Sequence, residues 1–296
     1  MDYYTSSQFA LFRVIFGLYL AWHFATLIPY SPELFGYEGM LPYSSLNPTS
    51  SFIPYPDHWL FIFESNILIQ AFLLILTITS FLFAAGFYRS VCSIILWYGW
   101  TYLFLRNNLI ANPGIPHVGW LLLVCAVIPQ GEGHYLWNPT KKGHPNWHMP
   151  EIVYWGAWVL MALGYTISGI HKLQCPSWID GSALRHVLSS ALSRNNLLTE
   201  LLLEAPHVVL HLSTWLSLAA EISFLPLGLF KKLRLFFWIL FMCLHIGILS
   251  VINFTDLTLG VLMIHIFTFD HTWFESRHKY YYLIRKAIGL ETKKWA

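Results

Sequence analysis

Apolar runs long enough to cross a bilayer, roughly 17 to 25 residues, dominate this chain. They lie near residues 9–29, 67–87, 91–108, 117–130, 152–171, 207–229, 235–251 and 254–269, the fourth being the shortest. Hydrocarbon offers the backbone no hydrogen-bond partner, so each run is expected to be an α-helix. The expected fold is an all-α polytopic membrane bundle of about eight transmembrane helices. Residues 1–270 form its one membrane domain and residues 271–296 a basic cytoplasmic tail.

Composition excludes the main soluble classes. Only 11% of residues are charged, against about a quarter in an ordinary soluble domain. The net charge of +2 comes from scattered cations, so no nucleic-acid face is expected. Cys92, Cys125, Cys175 and Cys243 form no Cys-x-x-Cys pair, which argues against a redox motif, a zinc knuckle or a disulfide framework. The first apolar run has neither a basic segment before it nor a small-residue cleavage site after it, and is read as structure.

Orientation follows from the cations that cytoplasmic loops retain. Arg89, Lys141, Lys142, Lys231, Lys232, Arg234 and six cations after residue 276 fall on one side of the alternation. Arg106, Lys172, Arg185 and Arg194 fall on the other, which puts both termini in the cytoplasm and requires an even number of spans. In the second long outer connection, Asp180 or Ser182 can cap a helix bearing Leu184, Val187, Leu188, Ala191 and Leu192 on one face. It is expected to lie along the membrane interface. Asn196 can start another short helix.

Ionisable residues within spans are costly and are candidates for function. Arg13 and Glu221 fall in the cytoplasmic half, where they are expected to pair with each other or Arg13 to reach the headgroups. The outer half collects His23, His117, His171, Lys172, His207, His211, His245 and Asp256 from six helices. Their convergence would make a polar, aromatic-walled cavity suited to a flat hydrophobic ligand. Lys172 can be a base if withdrawn from water, or a span-end cation reaching the interface. His207 and His211 have metal-compatible spacing, but no carboxylate or cysteine lies near them in sequence and no metal is expected.

The segment Ser168-Gly-Ile-His-Lys-Leu-Gln-Cys-Pro-Ser-Trp-Ile-Asp-Gly-Ser-Ala-Leu184 resembles the family of vitamin K-dependent gamma-carboxylase and its bacterial relatives, the HTTM (horizontally transferred transmembrane) proteins. Supporting matches are Leu11-Phe-Arg-Val-Ile-Phe-Gly17, Gly86-Phe-Tyr-Arg89, Arg106-Asn-Asn108 with Asn112, and Asn253-Phe-Thr-Asp256. The resemblance implies a reduced quinone of the vitamin K or menaquinol type as cofactor, with O2 and CO2 as co-substrates. Lys172 then falls where the family deprotonates the quinol, with His117, His171 and His245 orienting it or shuttling protons. Asn112, His211, Trp178 and Asp256 are the residues assigned to hold the quinone. Two features depart from the family: His171 stands where the carboxylase has another lysine, and 296 residues leave no room for its lumenal domain.

The expected function is therefore a carboxylase-like enzyme modifying a peptide or small substrate on the exoplasmic face of a bacterial cytoplasmic membrane. Its expected partners are the bilayer, the quinone, and a secreted peptide or separate substrate-binding protein. The rival is a non-catalytic scaffold, or a partner in the maturation of, or immunity to, a peptide toxin. A transporter fits less well, since the polar residues gather in one leaflet rather than near the midplane.

Overall fold

The computed structural model describes residues 4–43, 46–47, 65–133 and 143–273. Lys141, Lys142 and the basic tail beyond residue 273 lie outside them. Among the described residues the chain is helical, with one isolated β-bridge between Ser193 and Ile252. The apolar runs become α1 (Ser6–Leu27), α3 (Asn66–Ala85), α4 (Arg89–Arg106), α5 (Ile115–Val127), α6 (Glu151–Lys172), α10 (His207–Gly228), α11 (Lys231–Val251) and α12 (Thr255–Phe267). Between them lie the short helices α2 (Ser31–Phe35), α7 (Pro176–Ile179), α8 (Ala183–Leu188) and α9 (Leu197–Glu204).

Five helices, α1, α3, α6, α10 and α11, are long and apolar enough to cross a membrane. The α4 helix has 18 residues and an arginine at each end. At 1.5 Å per residue the 13-residue α5 and α12 reach only about 20 Å, short of a hydrocarbon layer of about 30 Å. Apolar side chains along α3 and α10, among them Ile67, Ile78, Phe81, Val208 and Leu216, are exposed, as lipid-facing positions would be.

Local chemistry sets several helix ends. Thr5 Oγ1 accepts from Gln8 N at 3.1 Å and Ser65 Oγ from Leu68 N at 3.2 Å, capping α1 and α3. Gly86, at φ +87°, closes α3 in the left-handed conformation. A glycine is also what lets α1 and α3 pack so closely: a Cβ on Gly17 would lie 2.6 Å from the Cβ of Ala84. The α12 helix is buried over most of its circumference and touches α1, α5, α6 and α11. It thus joins the first four long helices to the last three.

The packing of α6 on α10 determines depth. Gly169 faces Glu221 and Ile222, and its missing side chain permits the approach: a Cβ there would meet Glu221 Cβ at 3.0 Å and Ile222 Cγ1 at 2.9 Å. The 14 residues of α10 that precede Glu221, from His207 to Ala220, therefore run about 21 Å past this contact, beyond the end of α6. The short helices α7 and α8 pack on that overhang. Leu188 and Leu210 form a small core with Val251 and Ile252. Hydrogen bonds from Arg194 N to Val251 O (2.7 Å), Asn253 N to Leu192 O (2.6 Å) and Asn196 Nδ2 to Ser250 O (2.8 Å) fasten the connection to the end of α11.

Three expectations change. The charged residues Arg13 and Glu221 do not pair: Arg13 Nη1 meets Glu132 at 2.6 Å, and Glu221 meets Lys172 at 2.5 Å. Glu221 is not at a different depth from Lys172, because the end of α6 stops opposite the middle of α10 rather than its beginning. The helix starting after Ser182 is shorter than its apolar spacing suggests. It ends at Leu188, where the Ser190 hydroxyl donates to Val187 O and accepts from Leu192 N, turning the chain. Asp180 shapes its start, taking the Ser182 amide at 2.8 Å. Hydrogen bonds from the Ser182 hydroxyl and amide hold this exposed carboxyl below its usual range. Asn196 caps α9 as its sequence suggests, accepting from Thr199 N at 3.0 Å.

Candidate functional site

Lys172 is the last residue of α6, one helical turn beyond Gly169. Its Nζ lies 2.5 Å from Glu221 Oε1 and 4.4 Å from the ring centroid of Trp178 on α7. A quarter of the lysine side chain is accessible, whereas 7% of the Glu221 side chain is. The carboxylate belongs to the interior and the ammonium bridges it to the outside.

Backbone chemistry fixes Glu221. One turn after it, Pro226 has no N–H to give to the Ile222 carbonyl. Thr166 of α6 fills the opening: its hydroxyl accepts from Leu225 N at 3.0 Å and donates to Glu221 O at 3.0 Å, with Ile222 O at 3.4 Å. The helix carrying the carboxylate is thus clamped to the helix carrying the lysine at the height where the two side chains meet.

Deeper along α6, Tyr165 OH and His265 Nε2 are 2.7 Å apart. The Tyr165 ring packs on Phe241 at 3.9 Å between centroids, and the His245 ring lies 5.8 Å from Tyr165 and 6.0 Å from His265. His245 is buried and is within electrostatic reach of both His117 and Lys172. His117 reaches α6 where Gly164 leaves room: a Cβ there would lie 3.2 Å from His117 Nε2. Its Nδ1 is 3.1 Å from Pro113 O. Four buried polar atoms in this group have no partner among the described residues: Glu221 Oε2, His265 Nδ1, and both ring nitrogens of His245. Buried polar atoms are ordinarily satisfied, so their concentration here marks a place able to bind or transfer protons.

A second cluster forms at Asp256, the second residue of α12. Its carboxylate accepts from Tyr19 OH at 3.1 Å and Asn112 Nδ2 at 3.0 Å, and lies 2.6 Å from His23 Nδ1. It borders a cavity of about 310 Å³ together with Trp22, His23, Phe104 and Phe254. His211 belongs to neither cluster: it packs beside Trp215, at 6.1 Å between ring centroids, and against Gly181.

Of the residues expected to act together, Lys172 and Trp178 meet at the end of α6, His117 and His245 reach that helix about two turns deeper, at Gly164 and Tyr165, and Asn112 and Asp256 meet each other elsewhere. His171 is exposed. Sequence reasoning assigned Glu221 another depth and gave no part to Tyr165, Thr166 or His265. One signal for Tyr165 was present, since Tyr165, Gly169 and Lys172 recur at i, i+4 and i+7 on one helical face. Among the described residues no three histidine, cysteine, aspartate or glutamate side chains are placed to share a metal ion. The four cysteines are free thiols. Comparison of the chain with family models, curated proteins and solved structures finds no match.

Proposed function

We propose that this chain is an eight-span membrane enzyme with both termini in the cytoplasm, which abstracts a proton on the exoplasmic side through the Lys172–Glu221 pair. The observation that carries this reading is the position of Lys172, joined to a buried carboxylate and within electrostatic reach of His245, whose two ring nitrogens have no partner among the described residues. A lysine that merely reached for headgroups would have water or phosphate as its partner. The cation distribution supports the orientation, and α4, α5 and α12 complete the spans if their ends are recessed among longer neighbours.

The donor set fits a reduced quinone. Glu221 Oε2 and the imidazole nitrogens can hydrogen-bond ring hydroxyls, and the half-buried Trp178 offers an aromatic surface to a flat ring. When bound, such a quinol supplies an acidic hydroxyl and the reducing equivalents for chemistry with O2, with CO2 as the acceptor that the family resemblance implies.

The protein's part is proton handling. Lys172 Nζ donates to Glu221 Oε1 at 2.5 Å. As an ammonium and a carboxylate the pair is neutral overall, and the carboxylate is its proton acceptor. Lys172 presents the exposed end and Glu221 holds charge in the interior, so the two act as one base. Trp178 confines the ammonium from one side. His245 lies within electrostatic reach of Lys172 and can take the proton onward. A bacterial cytoplasmic membrane is the setting we assign, and the proton donor in the second half-reaction is a peptide or small substrate presented from outside.

The test is oxygen-dependent consumption of a vitamin K-type hydroquinone by the protein in nanodiscs. Lys172→Ala should lower the rate by on the order of 10² or more, the usual worth of a positioned base, while the protein stays monodisperse. Activity in Lys172→Ala equal to wild type would remove the mechanism. A wild-type protein that neither consumes nor retains quinone would favour the scaffold reading instead.

A further inference from the structure

Two sequence motifs, Leu11-Phe-Arg-Val-Ile-Phe-Gly17 and Gly86-Phe-Tyr-Arg89, take no part in the Lys172 site, yet the fold brings them together near the start of α1 and the end of α3. Arg13 and Arg89 are 1% and 3% exposed. Both face a single carboxylate oxygen: Glu132 Oε1 lies 2.6 Å from Arg13 Nη1 and 2.9 Å from Arg89 Nε. The loop Gly131-Glu132-Gly133 delivers that carboxylate with left-handed φ values of +108° and +92° at its glycines.

The two arginines are not equally satisfied. Arg89 also donates to the carbonyls of Cys125, Ile128 (2.7 Å) and Pro129 (3.1 Å). These carbonyls close α5, where the negative end of the helix dipole suits a cation. Arg13 has only Glu132 and a long contact of 3.4 Å to Gly133 O, and its Nε and Nη2 have no partner among the described residues. Two buried guanidinium groups thus share one carboxylate. A buried charge without a full partner is costly.

A cavity of about 470 Å³ adjoins this cluster, bordered by Arg13, Arg89, Gly86, Gly131, Gly133 and His144. A Cβ on Gly86 would lie 2.6 Å from Arg13 Nη2, so this glycine both ends α3 and lets its backbone pack against the guanidinium.

From the surplus buried cation, its unused donors and the adjoining cavity, we infer that this is an anion site taking a phosphate group, either from an anionic lipid headgroup or as the free ion. Arg13 supplies the recognition through N–H donors matched to phosphate oxygens. Glu132 is the internal anion with which the phosphate competes. The site lies at the other end of the bundle from Lys172, and stands or falls separately from the enzymatic reading.

The test pairs two measurements on the full chain. Native mass spectrometry counts phosphatidylglycerol retained from nanodiscs of phosphatidylcholine with and without it. Thermal unfolding in detergent is titrated with inorganic phosphate against chloride at constant ionic strength. Retained phosphatidylglycerol without a phosphate effect identifies a headgroup site, and stabilisation by phosphate alone identifies a free-ion site. In either case Arg13→Gln should weaken binding at least tenfold, about 1.4 kcal/mol, while keeping the Arg89–Glu132 pair. Glu132→Gln, which removes the competing carboxylate, should tighten binding and serves if Arg13→Gln does not fold. Wild type showing neither response, equal binding by Arg13→Gln, or weaker binding by Glu132→Gln would each overturn the assignment.

Discussion

Replacing Lys172 with methionine preserves the length and apolar stem of the side chain but leaves Glu221 with no partner for its carboxylate, 7% of which is accessible. Breaking a buried ion pair from one side costs about 3–5 kcal/mol. Water reaches a quarter of the Lys172 side chain, and exposed pairs are worth only about 0–1 kcal/mol. The expected loss is therefore intermediate, about 2–3 kcal/mol. Glu221→Gln should cost less, about 1 kcal/mol, since the ammonium it frees can turn toward solvent. The double variant removes both charges and should be no less stable than Lys172→Met alone. That gives a coupling energy of about 1–2 kcal/mol between the two positions. Reversible unfolding in mixed detergent micelles, followed by tryptophan fluorescence, measures all four corners of this cycle. Effects that add within about 0.5 kcal/mol would mean that the two side chains do not interact in solution. The Lys172–Glu221 pair as a single base would then have to be abandoned, whatever the activity of the single variants.

Thr166→Val keeps the shape of the side chain but removes the hydroxyl between Leu225 N and Glu221 O, with an expected loss of about 1–3 kcal/mol for the unsatisfied groups. The same unfolding assay checks it, and a neutral result would show that α10 closes its own ladder before Pro226. Asp256→Ala strips the acceptor from Tyr19, Asn112 and His23 and should cost about 2–4 kcal/mol, while Asp256→Asn, which keeps one acceptor oxygen, should cost less; equal losses would deny the network. The Asp180 carboxyl, lowered by hydrogen bonds from the Ser182 hydroxyl and amide, favours its turn above the carboxyl's unfolded pKa, and the contribution fades as pH falls through the lower folded value. Hydrogen exchange at the Ser182 amide should accordingly stay slow, relative to its intrinsic rate, to lower pH than an unperturbed aspartate would allow. Loss of protection already at the ordinary carboxyl pKa would contradict this.

Helix identity was legible in the sequence because it depends on an average over many residues. A run such as 67–87 has one outcome in hydrocarbon whatever its neighbours are, and α3 covers Asn66–Ala85. Depth was not legible, because it depends on where one helix stops against another. Counting from the nearest loop placed Lys172 at an outer end and Glu221 in the inner half, an inference that assumes every helix begins at the same plane. The close approach at Gly169 and the overhang of α10 remove that assumption, and put the two residues within 2.5 Å. The same reasoning explains Arg13. Its partner Glu132 comes from a glycine-flanked loop rather than from another span, and a rule that seeks charge partners among spans could not find it. Glycine positions were the readable clue: Gly169 and Gly86 each stand where a Cβ would come within 3.0 Å of the partner helix or guanidinium. In a chain with few charges, glycine positions govern which distant charges can meet. Gly169→Leu should therefore separate Lys172 from Glu221 and abolish their coupling without altering either charged residue.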